Sequence, residues 1–494
     1  MNRSRSPYKC ARHTHRHNAR RTPCLPRRPS LGGSQTEEDG IAVDETTAGP
    51  EAGLPAPSPS PLRYIPALDG LRGLSLPGTI FTHFAIFFIY LPDAPRWLLH
   101  ARPFTLNIEM FFVLSGALIT NMLVSEHSRK GSVDLRKFYL RRSRRLGPAL
   151  VCVVPLLLIA HFAISGTGLP PLGATPWLTA VSLLLFVGNW RLSDDEAGLG
   201  WMGPAWTLGI EEQFYLTWPT LLMLMLRRWS RWAILTAIAL VIAGCVVFST
   251  IVSKRIGINR TGYMTPTHVP PLLLGCALGY FLAISPSGWF ARLLRSQLVA
   301  LAGFAGMVAI SIAWSGNRLT LDAGGYALYG AAACLLIGHL FVVAGQPGLV
   351  SKVLAWKPLV VIGQVSYEAY LVHVIVILGV LRADTGMSVV QMMVFDTALI
   401  TAISGGFYYF VGRPVRRRGW GVVVGRPMAS RPTPPLAEGA VPPPPPTAAG
   451  PVSGVLALAL MAAAICIVTA DSWRGAAISL TAGAVVAQVA ARKR

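Results

Sequence analysis

The first long apolar run of the chain opens with GLRGLSLPGTIFTH, Gly70 to His83. Its Arg72 and His83 are eleven positions apart, and at 100° per residue this spacing is about three full turns, so both side chains share one helix face. They lie about 16 Å apart along the axis, so His83 reaches roughly the bilayer midplane if Arg72 lies at one membrane surface. An ionisable residue at that depth is costly and indicates a functional site.

The composition predicts a polytopic membrane protein. Of the 494 residues, 52% are hydrophobic and 13% are charged, which is more apolar surface than a soluble core can cover. The net charge is +22, but the basic residues cluster near the N-terminus and in short loops, as the positive-inside rule requires, so we expect no nucleic-acid partner. The seven cysteines show no metal-ligand spacing and no disulfide framework, and we expect no bound metal.

The chain divides into four parts by composition. Residues 1–62 predict a disordered, basic cytoplasmic tail, and residues 63–418 contain the long apolar runs of a membrane domain. A Pro-rich linker follows over 419–452. The last part, 453–494, contains two short apolar runs and predicts an appended C-terminal transmembrane hairpin.

The membrane domain contains eleven apolar runs, of which we expect ten to cross the bilayer. The runs lie at about 73–91, 104–124, 146–166, 177–190, 205–226, 232–253, 268–284, 298–314, 325–344, 359–381 and 390–411. All the Arg- and Lys-rich loops fall on the cytoplasmic side only if one run does not cross, and 177–190 is the shortest. The sequence therefore predicts an all-α, ten-span bundle in the plasma membrane, with a re-entrant or interfacial segment at 177–190 and both termini cytoplasmic.

Five motifs in one order carry a family resemblance. They are LDGLRG before His83, FFVLSGALIT (Phe111 to Thr120), FYLRRSRRLGP (Phe138 to Pro148), AWTLGIEEQFYLTWP (Ala205 to Pro219) and VSYEAYLVH (Val365 to His373). Together they resemble the acyltransferase-3 family of integral-membrane acyltransferases, over about residues 63–418. The resemblance implies transfer of an acyl group, often acetyl, from a cytoplasmic coenzyme A thioester to a sugar or another hydroxylated acceptor.

The resemblance implies that Arg72 and His83 are catalytic, since they match the family pattern of Arg or Lys, ten residues and His. A neutral imidazole can take the proton of an acceptor hydroxyl. Glu211 is the third candidate, because it could orient an imidazole or hold an acceptor hydroxyl. The simpler alternative is a histidine that is only hydrogen-bonded within a helix bundle.

Arginines crowd the predicted cytoplasmic end of the third span. Arg141, Arg142 and Arg145 are candidates to bind the phosphates of coenzyme A, because a guanidinium can grip two phosphate oxygens at once. Arg142 and Arg145 are favoured by their three-residue spacing, which puts them on one helix face. Topology alone also explains basic residues at this position. We expect acyl-CoA as a substrate and no bound cofactor.

Further polar groups are expected to meet in the outer half of the membrane. Counted from the ends of their runs, Glu211, Glu212 and Glu109 enter about 9 Å from the outer side. His83 and His373 each lie eight residues from the outer end of their spans. The expected acceptor or supporting network comprises Glu109, Glu212, Tyr215, Ser366, Tyr370 and His373. A purely structural polar network between helices is the alternative.

The sequence leads to a direct-transfer hypothesis. Coenzyme A docks its phosphates on a surface formed by Arg72, Arg142 and Arg145, and its thioester reaches His83. The activated acceptor hydroxyl then attacks the thioester carbonyl. A covalent acyl-enzyme relay remains an alternative, as do a transporter or flippase with intramembrane His and Glu residues, and a non-catalytic subunit. The acceptor is left open between a glycan, a lipid and a secreted natural product, and so is the oligomeric state.

Overall fold

A computed structural model describes residues 64–165, 176–195, 199–314, 324–346, 348–382 and 385–420. The regular structure of these residues is helical, and they contain no β-strand. The predicted N-terminal tail, the C-terminal hairpin and nearly all of the linker lie outside the described residues.

Ten helices of at least 17 residues form the described part of the chain. They are α1 Pro66–Phe88, α2 Asn107–Lys130, α3 Leu135–Ser165, α4 Trp206–Arg228, α5 Arg231–Ile256, α6 Thr265–Ile284, α7 Gln297–Trp314, α8 Tyr326–Val342, α9 Lys357–Arg382 and α10 Val389–Gly406. By length and apolar composition, six helical segments of the described residues can cross a membrane. They confirm a multi-pass membrane protein, and the ten-span count stays a prediction.

The segment expected to be re-entrant contains two short helices, Pro176–Leu184 and Gly188–Asp194. The longer has nine residues, about 13 Å at 1.5 Å per residue, whereas a bilayer core is about 30 Å thick. Neither helix alone spans a membrane. Its insertion from one side stays a prediction.

Helices α1 and α9 cross so closely that their backbones touch. A Cβ atom at Gly73 would overlap the carbonyl oxygen of Leu359, and one at Gly363 would overlap that of Asp69. Small residues at a helix crossing allow this approach in a membrane, where packing rather than the hydrophobic effect holds helices together. The crossing brings the Arg72 to His83 face of α1 against the SYEAYLVH segment of α9.

Helices α2 and α6 make a second backbone contact of the same kind. A Cβ at Gly116 would overlap the carbonyl oxygen of Leu272, and one at Gly275 would overlap that of Val113. Helix α2 is followed by Gly131, whose φ of 69° is the left-handed conformation that favours glycine. The two crossings hold α2 and α9 in place on the walls of the candidate site.

Candidate functional site

One polar pocket lies between α1, α2, α3, α4 and α9. It encloses about 730 Å³ of empty space, part of which is open to the outside. Its polar lining residues are Arg72, Thr79, Ser115, Arg142, Arg145, Thr207, Glu211, Tyr215, Ser366, Tyr367 and Tyr370. The structure thus brings together seven of the site residues predicted from the sequence: Arg72, Arg142, Arg145, Glu211, Tyr215, Ser366 and Tyr370.

Two of the three pocket arginines are already paired with carboxylates. Arg72 donates from Nη1 to Oδ1 of Asp69 over 3.0 Å, one turn earlier on α1. Arg142 donates from Nη2 to Oε1 of Glu212 over 3.4 Å, and its Cζ lies 3.0 Å from the ring centroid of Tyr215. These contacts hold both guanidinium groups in fixed positions before any ligand is present.

Arg145 is different. Its side chain is exposed at the edge of the pocket, one turn of α3 after Arg142. Among the described residues, no carboxylate lies within ion-pair distance of it. Arg145 is therefore the pocket arginine that can offer its full set of donors to an anionic ligand.

The expected separation in depth between the arginines and the α4 carboxylates is wrong. The sequence predicts Arg142 at the cytoplasmic end of the third span, and Glu211 and Glu212 in the outer half of the membrane. The structure has Nη2 of Arg142 3.4 Å from Glu212 and 4.0 Å from Oε2 of Glu211. A carboxylate inside an apolar bundle is costly without a cation, and the pairing removes that cost.

Two imidazoles lie next to residues that line the pocket. Nδ1 of His83 is 2.9 Å from the carbonyl oxygen of Thr79, and Nδ1 of His373 is 2.6 Å from that of Tyr370. Thr79 and Tyr370 line the pocket, whereas the two histidines do not. Nε2 of His373 lies 3.3 Å from Nδ1 of His83, so the two spans carry these residues at one level, as counting from the span ends predicted.

The contacts fix which nitrogen of each neutral ring carries the proton. A carbonyl oxygen only accepts, so Nδ1 of His373 must donate to Tyr370, which leaves its Nε2 as an acceptor. Nδ1 of His83 then donates towards Thr79 and His373, and Nε2 of His83 keeps its lone pair. His83 is partly exposed, whereas His373 is fully buried. Nε2 of His83 is therefore the nitrogen that is available to take a proton from a substrate.

Hydroxyl groups connect the pocket walls. The hydroxyl of Tyr370 donates to the carbonyl oxygen of Pro204, so the hydroxyl of Thr207, 2.8 Å away, donates to the Tyr370 oxygen. On the opposite wall, the hydroxyl of Ser115 donates to Oε1 of Glu211 over 3.0 Å. These bonds orient Glu211 and Tyr370 towards the shared space.

Glu109 does not join this group. Its Oε1 lies 2.7 Å from Nδ1 of His268 on α6, and Nε2 of His268 lies 2.8 Å from the carbonyl oxygen of Gly262. Both side chains are buried. Glu109 therefore meets a partner across the bundle, His268, outside the pocket lining, and its place in the acceptor or supporting network stays a prediction.

The other predicted residues lie at the margin of the site. Arg141 is exposed on α3 and does not line the pocket. Glu212 is buried, does not line the pocket either, and contacts Arg142. Sequence reasoning missed Thr79, Thr207 and His268. Thr79 lies four residues before His83 and Thr207 within the AWTLG motif, which were the available signals, whereas His268 belongs to none of the five motifs.

Apolar helices around an arginine-lined pocket, with a histidine pair next to it, define an integral-membrane protein with an enzyme-like polar site. The chain belongs to the acyltransferase-3 family, because the family model described as an acyltransferase domain matches residues 65–412. The resemblance drawn from the five motifs is confirmed.

Several bacterial proteins are similar to this chain. The O-acetyltransferase OatA of Staphylococcus aureus is 28% identical over 373 residues, which cover 72% of this chain and 58% of that protein. The peptidoglycan O-acetyltransferase OatA of Listeria monocytogenes is 27% identical over 380 residues, which cover 72% of this chain and 57% of that protein. The similarity thus extends over little more than half of the length of these relatives. No solved structure matches the chain.

Proposed function

We propose that this protein is a membrane O-acyltransferase that moves an acyl group, acetyl by preference, from acyl-CoA to a hydroxyl of a cell-envelope glycan. Family membership supports the reaction class, and the names of the Staphylococcus and Listeria relatives support acetyl as the group and peptidoglycan as the acceptor. The observation that carries the proposal is the histidine pair next to a pocket whose edge holds the unpaired Arg145.

The donor binds with its phosphates at Arg145. The charges of Arg72 and Arg142 are offset by Asp69, Glu211 and Glu212, so these two arginines are not the first contact of the phosphates. The distance from Arg72 to Thr79 on α1 is seven residues, about 10 Å along the helix. A donor anchored at Arg145 extends along this wall, which brings its thioester towards His83.

The chemical step then uses the lone pair of His83. Nε2 of His83 takes the proton of the acceptor hydroxyl while that oxygen attacks the thioester carbonyl carbon. The resulting imidazolium donates from Nδ1 to Thr79 and His373, which stabilises its charge. Collapse of the tetrahedral intermediate breaks the carbon–sulfur bond, coenzyme A leaves as a thiolate, and the proton on His83 passes to it or to solvent.

In the orientation that we propose, Arg72 and Arg145 face the cytoplasm, where acyl-CoA is found. The acceptor reaches His83 from the outer side or from the membrane plane. Glu211, oriented by Ser115 and lining the pocket, is the candidate to hold an acceptor hydroxyl.

The experiment is acetyl transfer by the purified full chain in lipid, followed as release of the free thiol of coenzyme A, with His83→Ala and Arg145→Gln variants. For His83→Ala we expect turnover to fall about 10²–10⁴-fold, which is the typical contribution of a general base. For Arg145→Gln we expect a raised KM for acetyl-CoA. Full turnover by a folded His83→Ala protein would reject the mechanism.

The acceptor is tested by mass spectrometry of wall glycans from cells with and without the gene. Loss of O-acetyl groups from the glycan supports the proposed acceptor, and an unchanged wall rejects it.

A covalent adduct on the protein after acyl-CoA is added without an acceptor would favour the acyl-enzyme relay. Movement of a lipid or glycan without consumption of the thioester would favour a flippase instead.

A further inference from the structure

A buried carboxylate lies beside the pocket, outside the residues assigned so far. Glu368 sits on α9 between the pocket residues Tyr367 and Tyr370, and its side chain is 2% exposed. Its Oε1 accepts from Nη2 of Arg416 over 2.7 Å. Its Oε2 is buried and has no hydrogen-bond partner among the described residues. Glu368 is thus a carboxylate with one oxygen still able to take a second donor.

Arg416 is held in place on several sides. It belongs to the short helix Arg413–Arg418, which follows a π-helical segment, Phe407–Gly412. Its Nε donates to the carbonyl oxygen of Gly412 over 3.3 Å, and its Cζ lies 4.6 Å from the ring centroid of Tyr408. A Cβ at position 412 would lie 2.9 Å from both Nη2 of Arg416 and Oε1 of Glu368, so the glycine leaves the room that the ion pair needs.

The pocket brings a second arginine close to this part of α9. Arg145 lines the pocket together with Tyr367, the residue before Glu368. Helix α3, which carries Arg145, packs against α9, the π-helical segment and the Arg416 helix alike. Of these two arginines, Arg416 is the one bonded to the buried carboxylate in the described part of the chain. A buried carboxylate that loses its partner must find another positive charge or remain at high cost.

We infer that Arg416, because it pairs with Glu368, leaves Arg145 available to an anionic ligand in the pocket. Arg416 and Glu368 are then positioning residues of the donor site, although neither touches the donor. The inference rests on the proposed function, because it takes the phosphates of coenzyme A as the ligand of Arg145. Without Arg416, the carboxylate captures Arg145 and the donor loses its contact.

The test is equilibrium binding of coenzyme A to the purified full chain and to Arg416→Gln, Glu368→Gln, the Arg416→Gln/Glu368→Gln double variant and Arg417→Gln. Arg417 is an exposed neighbour of Arg416, so its exchange is a control for the same change in net charge. Melting temperatures are measured for all of them, and KM and kcat for acetyl-CoA are measured in parallel.

Arg416→Gln is expected to weaken binding about tenfold, which is the loss of about one charge-assisted hydrogen bond, and to raise KM with little change in kcat. Removing the carboxylate as well frees Arg145 again, so the double variant is expected to bind within about twofold of wild type although it lacks the ion pair. Glu368→Gln is expected to bind at least as tightly as wild type, and Arg417→Gln to bind as wild type.

The inference is overturned if Arg416→Gln binds as wild type, or if the double variant binds as weakly as Arg416→Gln, which a purely structural ion pair predicts. If Arg416→Gln does not fold, Glu368→Gln decides, since weaker binding by it contradicts the inference. Wild-type protein that does not bind coenzyme A would show that the proposed donor is wrong. If Arg416→Gln binds coenzyme A as tightly as the wild-type protein does, the proposed donor stands and only this inference is rejected.

Discussion

The exchange of His373 for glutamine tests the histidine pair directly. Nε2 of His373 lies 3.3 Å from Nδ1 of His83 and helps to keep the proton of His83 on Nδ1. The amide of glutamine lies further from the backbone than Nδ1 of the ring, so we expect it not to donate to Tyr370 and accept from His83 at the same time. The variant therefore leaves His83 with Thr79 as its remaining hydrogen-bond partner, so the orientation of the ring is less restricted.

The size of the effect follows from the bonds that are lost. Removal of a buried side-chain hydrogen bond costs about 1–3 kcal/mol of stability. If the misorientation of His83 costs the same amount in the transition state, kcat falls about 10–100-fold, since about 1.4 kcal/mol is a factor of ten. This is less than expected for His83→Ala, because the base itself remains.

His339 provides a matched control. It is buried on α8, its Nδ1 donates to the carbonyl oxygen of Leu294 over 2.8 Å, and it does not line the pocket. His339→Gln therefore removes an equivalent buried bond without touching His83. Thiol release from acetyl-CoA and the melting temperature are measured for both variants. Equal losses of activity in the two, in proportion to their stability, would refute an orienting role for His373.

Three further variants test the packing around the site. Gly363→Leu is expected to separate α1 from α9, because even a Cβ there overlaps a backbone carbonyl, and to abolish both folding yield and activity in purified membranes. His268→Leu removes the hydrogen-bond partner of the buried Glu109 carboxyl group and is expected to lower stability by about 1–3 kcal/mol, whereas adding Glu109→Gln restores part of the melting temperature. Tyr370→Phe removes the bond to Pro204 and the acceptor of Thr207, and is expected to cost about 1 kcal/mol, with a raised KM for the acceptor.

The features that the sequence predicted correctly are those that depend on one helix at a time. Ser366 and Tyr370, both in the predicted network, precede His373 at a spacing that puts them on one helix face, and both line the pocket. Counting residues from the span ends put His83 and His373 at one level, and the rings are in contact. Helical rise and periodicity are nearly constant, so such counts remain valid over a single span.

Features that depend on how two helices are placed against each other could not be predicted in the same way. The predicted depth of Arg142 is valid only if α3 enters the membrane where its apolar run begins. Helix α3 starts at Leu135, eleven residues before that run. Helix tilt and offset are set by packing rather than by hydropathy, and arginine reaches along an apolar surface to a partner. The partner of Glu109, His268, is 159 positions away, and only the α2 and α6 crossing brings them together.

The charges of the pocket explain how one site could orient a long anionic donor. Arg72 is balanced by Asp69 alone, and Arg142 faces both Glu211 and Glu212, while Arg145 faces no carboxylate at ion-pair distance among the described residues. The positive surplus therefore lies at Arg145, and the negative surplus lies on the α4 wall. A donor whose charge is concentrated in its phosphates is drawn to Arg145 and repelled from Glu211, so its uncharged arm points inwards. The same carboxylate surplus suits a neutral acceptor hydroxyl, which can donate to it. In this proposal the pocket separates the two substrates by charge before His83 acts.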